Sequence, residues 1–200
     1  VNCRSASPVY ENLLMVDCYI DNFEYAGDAL SFIDCDALVD GATFVRCGWG
    51  HFGSVHSEGG TLTMRDCVFV DDYSTPVINA WGDGAMNLEN VTIVDALYGH
   101  AIGVRWGTTT VDVSNSIIAF NTPGEGLYCH ISLPTTDLSC IHGNGELNEL
   151  CGNYTTSILY EDPLFCDLEG GDLTLAADSP CLPANNQWGV LIGALGQGCE

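Results

Sequence analysis

Two hundred residues, 46% of them hydrophobic, suffice for one domain with a continuous core. Twenty-seven acidic residues stand against four arginines and no lysine, a formal net charge of −23, so nucleic acid, whose phosphates this surface would repel, is excluded as a partner. No apolar run approaches the roughly 18 residues of a membrane helix, and no basic segment followed by an apolar one opens the chain. A membrane span is therefore not expected, and a secreted protein would begin here in its mature form.

Eleven cysteines are too many for a reduced cytosolic domain of this size and point to an oxidising, extracellular setting. Their odd number leaves at least one thiol free or paired between chains. Asn90-Val91-Thr92 and Asn153-Tyr154-Thr155 fit the glycosylation sequon, a short pattern that also arises by chance.

In chain order, short apolar segments return at a fixed interval. The best defined is Leu62–Val70. Apolar and polar residues alternate to Met64, Arg65-Asp66 interrupts, and Cys67 and Phe69 resume, which reads as two strands meeting at a bend. Aligned on Cys67, the series Cys18, Ala42, Cys67, Val91, Ser116, Ile141 advances by 24 or 25 residues at every step. Three residues earlier stand Met15, Val39, Met64, Leu88, Val113 and Leu138; two residues later stand Ile20, Phe44, Phe69, Ile93 and Ile118. All are apolar and are expected to point inward. The bend between them reads Asp17, Gly41, Asp66, Asn90, Asn115 and Cys140, dominated by residues that tolerate left-handed backbone. A third column, Leu30, Val55, Ile78, Ile102 and Leu127, supplies another strand per repeat.

Three short strands per repeat, with no helical pattern between them, cannot bury their apolar faces alone and must stack on their neighbours. The expected fold is all-β, a right-handed parallel β-helix of about six coils of 24–25 residues, successive coils lying about 4.8 Å apart. Outward columns support this register. Asp40, Arg65 and Glu89 alternate in sign; Asn22, Arg46, Asp71 and Asp95 form a second column in which Arg46 would touch Asp71; Tyr19, Thr43, Val68, Thr92 and Ile117 stack outside the second strand.

From Thr122 the pattern weakens through Pro123, Pro134 and a Gly/Asn-rich run over Gly143–Asn148, and six cysteines crowd the remainder. Residues 1–200 read as a single β-helix domain, with repeat coils over 1–145 and a terminal coil and cysteine-rich, disulfide-stapled cap over 146–200.

The runs Asp162-Pro163-Leu164-Phe165-Cys166, Gly171-Asp172-Leu173-Thr174-Leu175, Asp178-Ser179-Pro180-Cys181 and Ile192-Gly193-Ala194-Leu195-Gly196 resemble the C-terminal end of bacterial secreted right-handed β-helix repeat proteins of the pectate-lyase-like superfamily. The coils before them match only as a generic repeat. The resemblance implies a tail that closes the last coil, and a polysaccharide lyase or glycoside hydrolase as one class of activity. Lyases of this fold need a carboxylate cluster for calcium plus an arginine or lysine base, and hydrolases need two or three carboxylates around one bond. No such constellation stands out in this chain, so no residue is assigned as catalytic and enzyme activity is not the leading expectation.

Arg105 falls near Trp81 and His130 in the third-strand column, with Asp83 nearby; a cation–π contact to Trp81 or Trp106 is the plain reading, and a carbohydrate-binding role for Trp81, Arg105 and Trp106 the functional one. Trp49, His51 and Phe52, with Trp81, Tyr98 and Trp106, would either form a stacking platform for sugars or pack as loop tips over the solenoid. Asp71, Asp72 and Asp95 approach one another across coils, as a solvated acidic face or as a calcium site. No other cofactor is expected. Asp34-Cys35-Asp36 with Asp40-Gly41 departs from the EF-hand spacing at Leu38 and has no flanking helices.

Cys129-His130, Cys140, His142 and Cys151 have zinc-ligand types, but disulfides are the better reading in such a cap. The pairings favoured are Cys166 with Cys181 and Cys140 with Cys151, connectivity not being fixed by sequence. Cys18 and Cys67, two coils apart, lie too far to bridge and read as buried free thiols.

With no catalytic constellation in view, an extracellular structural or adhesive protein is the first expectation. Subunits would associate end to end into a homopolymer, the coil at Val1-Asn2-Cys3 meeting the cap of the next, with Cys3 or Cys199 as a covalent link. A polysaccharide-active enzyme and a carbohydrate-binding module are the alternatives, with extracellular polysaccharide as the partner.

Overall fold

The computed structural model describes residues 2–4, 6–18, 29–48, 53–145 and 151–200. Their strands form three parallel sheets wrapped around one core, a β-solenoid. The first sheet stacks Asn2–Arg4, Leu30–Ile33, Val55–Glu58, Ile78–Trp81, Ile102–Trp106 and Leu127–Cys129. The second runs Val9–Glu11, Ala37–Asp40, Thr61–Arg65, Ala85–Glu89, Thr110–Ser114, Thr135–Asp137, Asn153–Tyr154. The third runs Leu14–Val16, Thr43–Val45, Val68–Val70, Thr92–Val94, Ile117–Ala119, Ser139–His142, Ile158–Leu159.

The inward columns explain why these short segments become strands. Leu30, Val55, Ile78, Ile102 and Leu127 pair in register in the first sheet, Val39, Met64, Leu88 and Val113 in the second, and Phe44, Phe69, Ile93 and Ile118 in the third. All are buried. Each β-branched or aromatic side chain rests on its counterpart one turn away, as in Phe44 on Phe69, whose rings stack at 4.4 Å.

The bend between the second and third sheets is a stack of left-handed residues: Asn12, Gly41, Asp66, Asn90, Asn115 and Leu138, with φ between 47° and 65°. Asn90 Nδ2 donates to Asp66 Oδ1 at 3.1 Å, tying one rung of the stack to the next. The corner between the first and second sheets is tighter. A Cβ on Gly60 (φ 68°) would lie 2.4 Å from the Cys35 carbonyl oxygen, and one on Gly84 would lie 2.5 Å from that of Gly60.

The end turns depart from the sequence period. In the first, Tyr10 pairs with Val39 and Met15 with Phe44, a step of 29, so Met15 belongs to the third sheet and Asn12, not Asp17, starts the bend stack. Near the other end, Thr136 pairs with Val113 and Ile141 with Ile118, a step of 23, so Leu138 rather than Cys140 takes the bend, and one turn further Thr135 pairs with Asn153 and Ser139 with Ile158. Asp17 instead meets Arg46, Oδ1 to Nε at 2.6 Å, where Asp71 was expected as partner. Arg65 pairs with Glu89 at 3.2 Å and lies in register with Asp40, as the alternating column requires.

The tail lies along the flank of the solenoid. Phe165–Asp167, Asp172–Ala176 and Gln197–Cys199 make a small mixed sheet. Leu173, Leu175, Cys181, Leu182 and Ile192 pack on Val68, Val94, Ile117, Ala119 and Cys140 of the third sheet. Gly193 N–H donates to Asn115 O at 2.6 Å and Ala194 N–H to Thr92 Oγ1 at 2.9 Å. The column Val68, Thr92, Ile117, expected to face solvent, is thereby buried to 6%, 1% and 1% exposure. Covering one such Ile or Val contributes about 1.5–3 kcal/mol.

Three disulfides join Cys3 to Cys35, Cys129 to Cys151 and Cys166 to Cys199. The expected pairs Cys166–Cys181 and Cys140–Cys151 are not formed. Cys151 N–H donates to Leu127 O, which returns the chain beside Cys129 one turn on, whereas Cys140 lies on the third sheet under the tail. Cys166 and Cys199 both adjoin the Leu175-Ala176 end of the small sheet's middle strand. Cys3 and Cys199, expected as links between subunits, are each bonded within the chain.

Candidate functional site

The outer edge of the first sheet carries a ladder of rings. Trp81 is in register with Glu58 on one side and with Trp106 on the other. Its ring lies 6.4 Å from His56 and 6.2 Å from Trp106, which in turn lies 4.4 Å from His130. Beside it His100 stacks on Tyr128 at 4.5 Å with 17° between planes, and Tyr73 meets Tyr98 at 6.0 Å. Consecutive turns place these rings; the repeat itself builds the ladder.

Arg105 is the residue that breaks the register. Ala80 pairs with Val104 and Trp81 with Trp106, so Arg105 is the extra residue of a β-bulge. A bulge re-aims the side chain it carries, and here that side chain enters a cavity of about 430 Å³ lined by His100, Arg105, Trp106, Tyr128 and His130. Arg105 Nη2 donates to Thr75 O at 2.9 Å. Burial draws the guanidinium below its ordinary value, Tyr128 opposing, yet an arginine stays cationic at any physiological pH.

Burial, and secondarily Arg105, lowers the pKa of His100. The Glu125 backbone N–H donates to His100 Nδ1 at 3.1 Å, closer than the Glu125 carboxylate at 3.7 Å. Nδ1 is therefore an acceptor, and the neutral ring carries its proton on Nε2. His56 is likewise held below its ordinary value by burial, with Glu58 opposing.

A second cavity of about 500 Å³ adjoins the first, because Trp106-Gly107 and His130-Ile131 are consecutive in the chain. Thr108, Thr110, Asp112, Ser132 and Thr135 give it hydroxyls and one carboxylate, and Ile131 and Leu133 stand exposed at its side. Asp83 faces Thr108, accepting from its Oγ1 at 2.8 Å and its N–H at 3.0 Å, and these bonds hold its pKa low.

The sequence-derived site residues divide. Trp81, Arg105 and Trp106 do come together. Asp71, Asp72 and Asp95 do not form a cation cluster: Asp71 and Asp95 sit on bends (φ 54° each), while Asp72 is buried. Asp72 accepts from Ser54 Oγ at 2.5 Å, from Ser74 N–H at 2.8 Å and from Ser74 Oγ. Burial pushes Asp72 up to about 6, and burial followed by Asp71 raises Asp95. Among the described residues no three His, Cys, Asp or Glu side chains are arranged to hold a metal ion. Trp49, His51, Phe52, Tyr19, Ile20 and Asn22 lie outside the described residues.

His100 and Tyr128 are site residues that sequence reasoning missed. Tyr128 was within reach, since it is one period after Gly103, its partner in register. The five side chains around the first cavity offer flat rings and a fixed cation, and none is a carboxylate. That set can grip a ligand by stacking and charge-assisted hydrogen bonds; it lacks the paired carboxylates of glycoside hydrolysis. No family model, curated protein or solved structure matches this chain.

Proposed function

We propose that this protein is an extracellular adhesive β-solenoid that binds glycan along the outer edge of its first sheet. The observation that carries the reading is Trp106. It is 48% exposed on a strand of an otherwise well-packed solenoid, flanked by Trp81 and His130, beside the Arg105 cavity. A pyranose presents a C–H face that stacks on such a ring and hydroxyls that suit Arg105 and the threonine-rich cavity next to it. Concave, aromatic-lined sites with a few placed polar groups are where small ligands bind. The three disulfides, and the likeness of residues 162–196 to the tails of secreted β-helix proteins of the pectate-lyase-like superfamily, support the extracellular placement.

Titration of neutral and acidic oligosaccharides by calorimetry tests this. Trp106→Ala is expected to weaken binding by about tenfold or more, a loss of about 1.4 kcal/mol, with thermal unfolding unchanged. Arg105→Gln is expected to weaken acidic oligosaccharides more than neutral ones, and chelation with EDTA is expected to leave binding intact. Full affinity in Trp106→Ala, or release of cleaved product by the unmodified protein, would count against an adhesive binding role.

A further inference from the structure

We propose that the folded protein carries two further disulfides, Cys18–Cys47 and Cys140–Cys181, one tying its first turn to its second and the other tying its tail to its flank. Six of the eleven cysteines are already bonded, and five are not: Cys18, Cys47, Cys67, Cys140 and Cys181. Four of those five meet in pairs.

Cys18 and Cys47 hold equivalent positions in consecutive turns. Val16 pairs with Val45, and two residues on Gly48 N–H donates to Cys18 O at 2.9 Å. The Cys18 side chain is near enough to act on the Cys47 thiol, adding to the rise that burial gives it. Adjacent parallel strands lie about 4.8 Å apart, inside the roughly 4.4–6.8 Å between α-carbons that a disulfide spans. The molecule already bridges consecutive turns in this way, at 6.5 Å between the α-carbons of Cys3 and Cys35 and 5.6 Å between those of Cys129 and Cys151.

Cys140 continues the outward column of the third sheet, in register with Ile117, and is fully buried beneath the tail. Cys181, also fully buried, belongs to the tail side of the same cluster, near enough to raise the Cys140 thiol. Cys67 is different. The counterparts that flank it, Ala42 and Val91, carry no sulfur, so it remains the single odd thiol that an odd cysteine count demands.

Each bond forms by thiol–disulfide exchange with an external disulfide such as oxidised glutathione. One protein thiolate attacks that disulfide and releases a thiol. The second protein thiolate then displaces the other half, so two electrons and two protons leave the cysteine pair and the external disulfide is reduced to two thiols. Only the thiolate attacks. Burial pushes Cys47 up to about 12, and contact with Cys181, then burial, pushes Cys140 up. Cys18 is only half-buried and stays open to attack in the folded chain, whereas Cys140 and Cys181 are both fully buried and have to join while the chain is folding, before the tail covers them.

The test is a cysteine map of the full chain refolded in a glutathione redox buffer, alkylated with iodoacetamide under denaturing conditions without reductant, digested and analysed by mass spectrometry. The expected result is alkylation at Cys67 alone, with linked peptides joining Cys18 to Cys47 and Cys140 to Cys181. Alkylation at all five cysteines, or any of these four linked elsewhere, overturns the proposal. Cys181→Ser is expected to expose one additional alkylated residue, Cys140, and to leave the other linkages in place; the map of the unmodified chain decides even if this variant does not fold.

Discussion

Leu138 occupies a bend whose other five positions hold asparagine, aspartate or glycine. At φ 47° its branched side chain crowds the backbone, a cost of about 1–2 kcal/mol for a non-glycine residue. Leu138→Asn is expected to raise the free energy of unfolding in urea by about 0.5–1 kcal/mol; an unchanged or lower midpoint would show that Leu138 packing outweighs its strain. Asp72 makes a prediction of pH dependence. Its folded pKa, about 6, lies above the unfolded value near 3.9. Its contribution to stability is therefore fully present below pH 3.9 and is lost as pH rises through 6. Between pH 7 and pH 4 this one group is expected to add about 2–3 kcal/mol on acidification. Comparing Asp72→Asn with the parent protein isolates it, because Asp17, Asp83 and Asp172, whose pKa values are lowered, act in the opposite sense in both. Parallel stability curves for the two proteins would refute the assignment. The burial of Asp72 was within reach of the sequence. Cys47, Asp72, Ala96 and Asn121 recur at 25, 24 and 25 residues, the same period that marks the apolar columns, but beside Asp71 and Asp95 a carboxylate at this position reads as part of a solvated acidic face or a calcium site. Inside, Asn121 Nδ2 donates to Asn144 Oδ1 at 2.8 Å, and Asn144 Nδ2 to Ile118 O at 2.8 Å, so these side chains satisfy one another and the ladder.

At the scale of elements, the tail and the bulge decide what the solenoid presents. The tail approaches the third sheet closely at Gly193, where φ is 98° and a Cβ would stand 2.5 Å from Ile117 Cδ1. Gly193→Ala is expected to cost about 1–3 kcal/mol through overpacking and a disfavoured backbone. The effect should show as earlier thermal unfolding and faster proteolytic release of the tail, and an undisturbed protease pattern would contradict docking at this point. Most strands were legible because apolar side chains recur at one period on three sheets. The docking of the tail was not, since Val68, Thr92 and Ile117 are β-formers that suit an exposed face as well as a covered one. The bulge at Arg105 was equally hidden. One inserted residue leaves the strand's composition unchanged yet redirects a charge into the groove.

For the whole molecule, charge is the dominant surface fact. Among the described residues, the carboxylate–arginine ion pairs Arg46–Asp17 and Arg65–Glu89 stand against a net charge of −23 for the chain. Screening of repulsion should outweigh the weakening of these pairs as the Debye length falls from about 30 Å at 0.01 M salt to about 10 Å at 0.1 M. The melting temperature is expected to rise over that range, and a fall would mean that specific pairs dominate. The sequence by itself determined the period, the three inward columns, the parallel stacking they force and the acidity of the surface, because each is a property of residues one repeat apart. It also named Trp81, Arg105 and Trp106 together. Only the tertiary structure decided the register of the first and last turns, the disulfide partners, the inward turn of Asp72 and the place of the tail. These depend on contacts between segments that share no period, where a shift of a few residues leaves the hydrophobic pattern intact and only three-dimensional packing separates the alternatives.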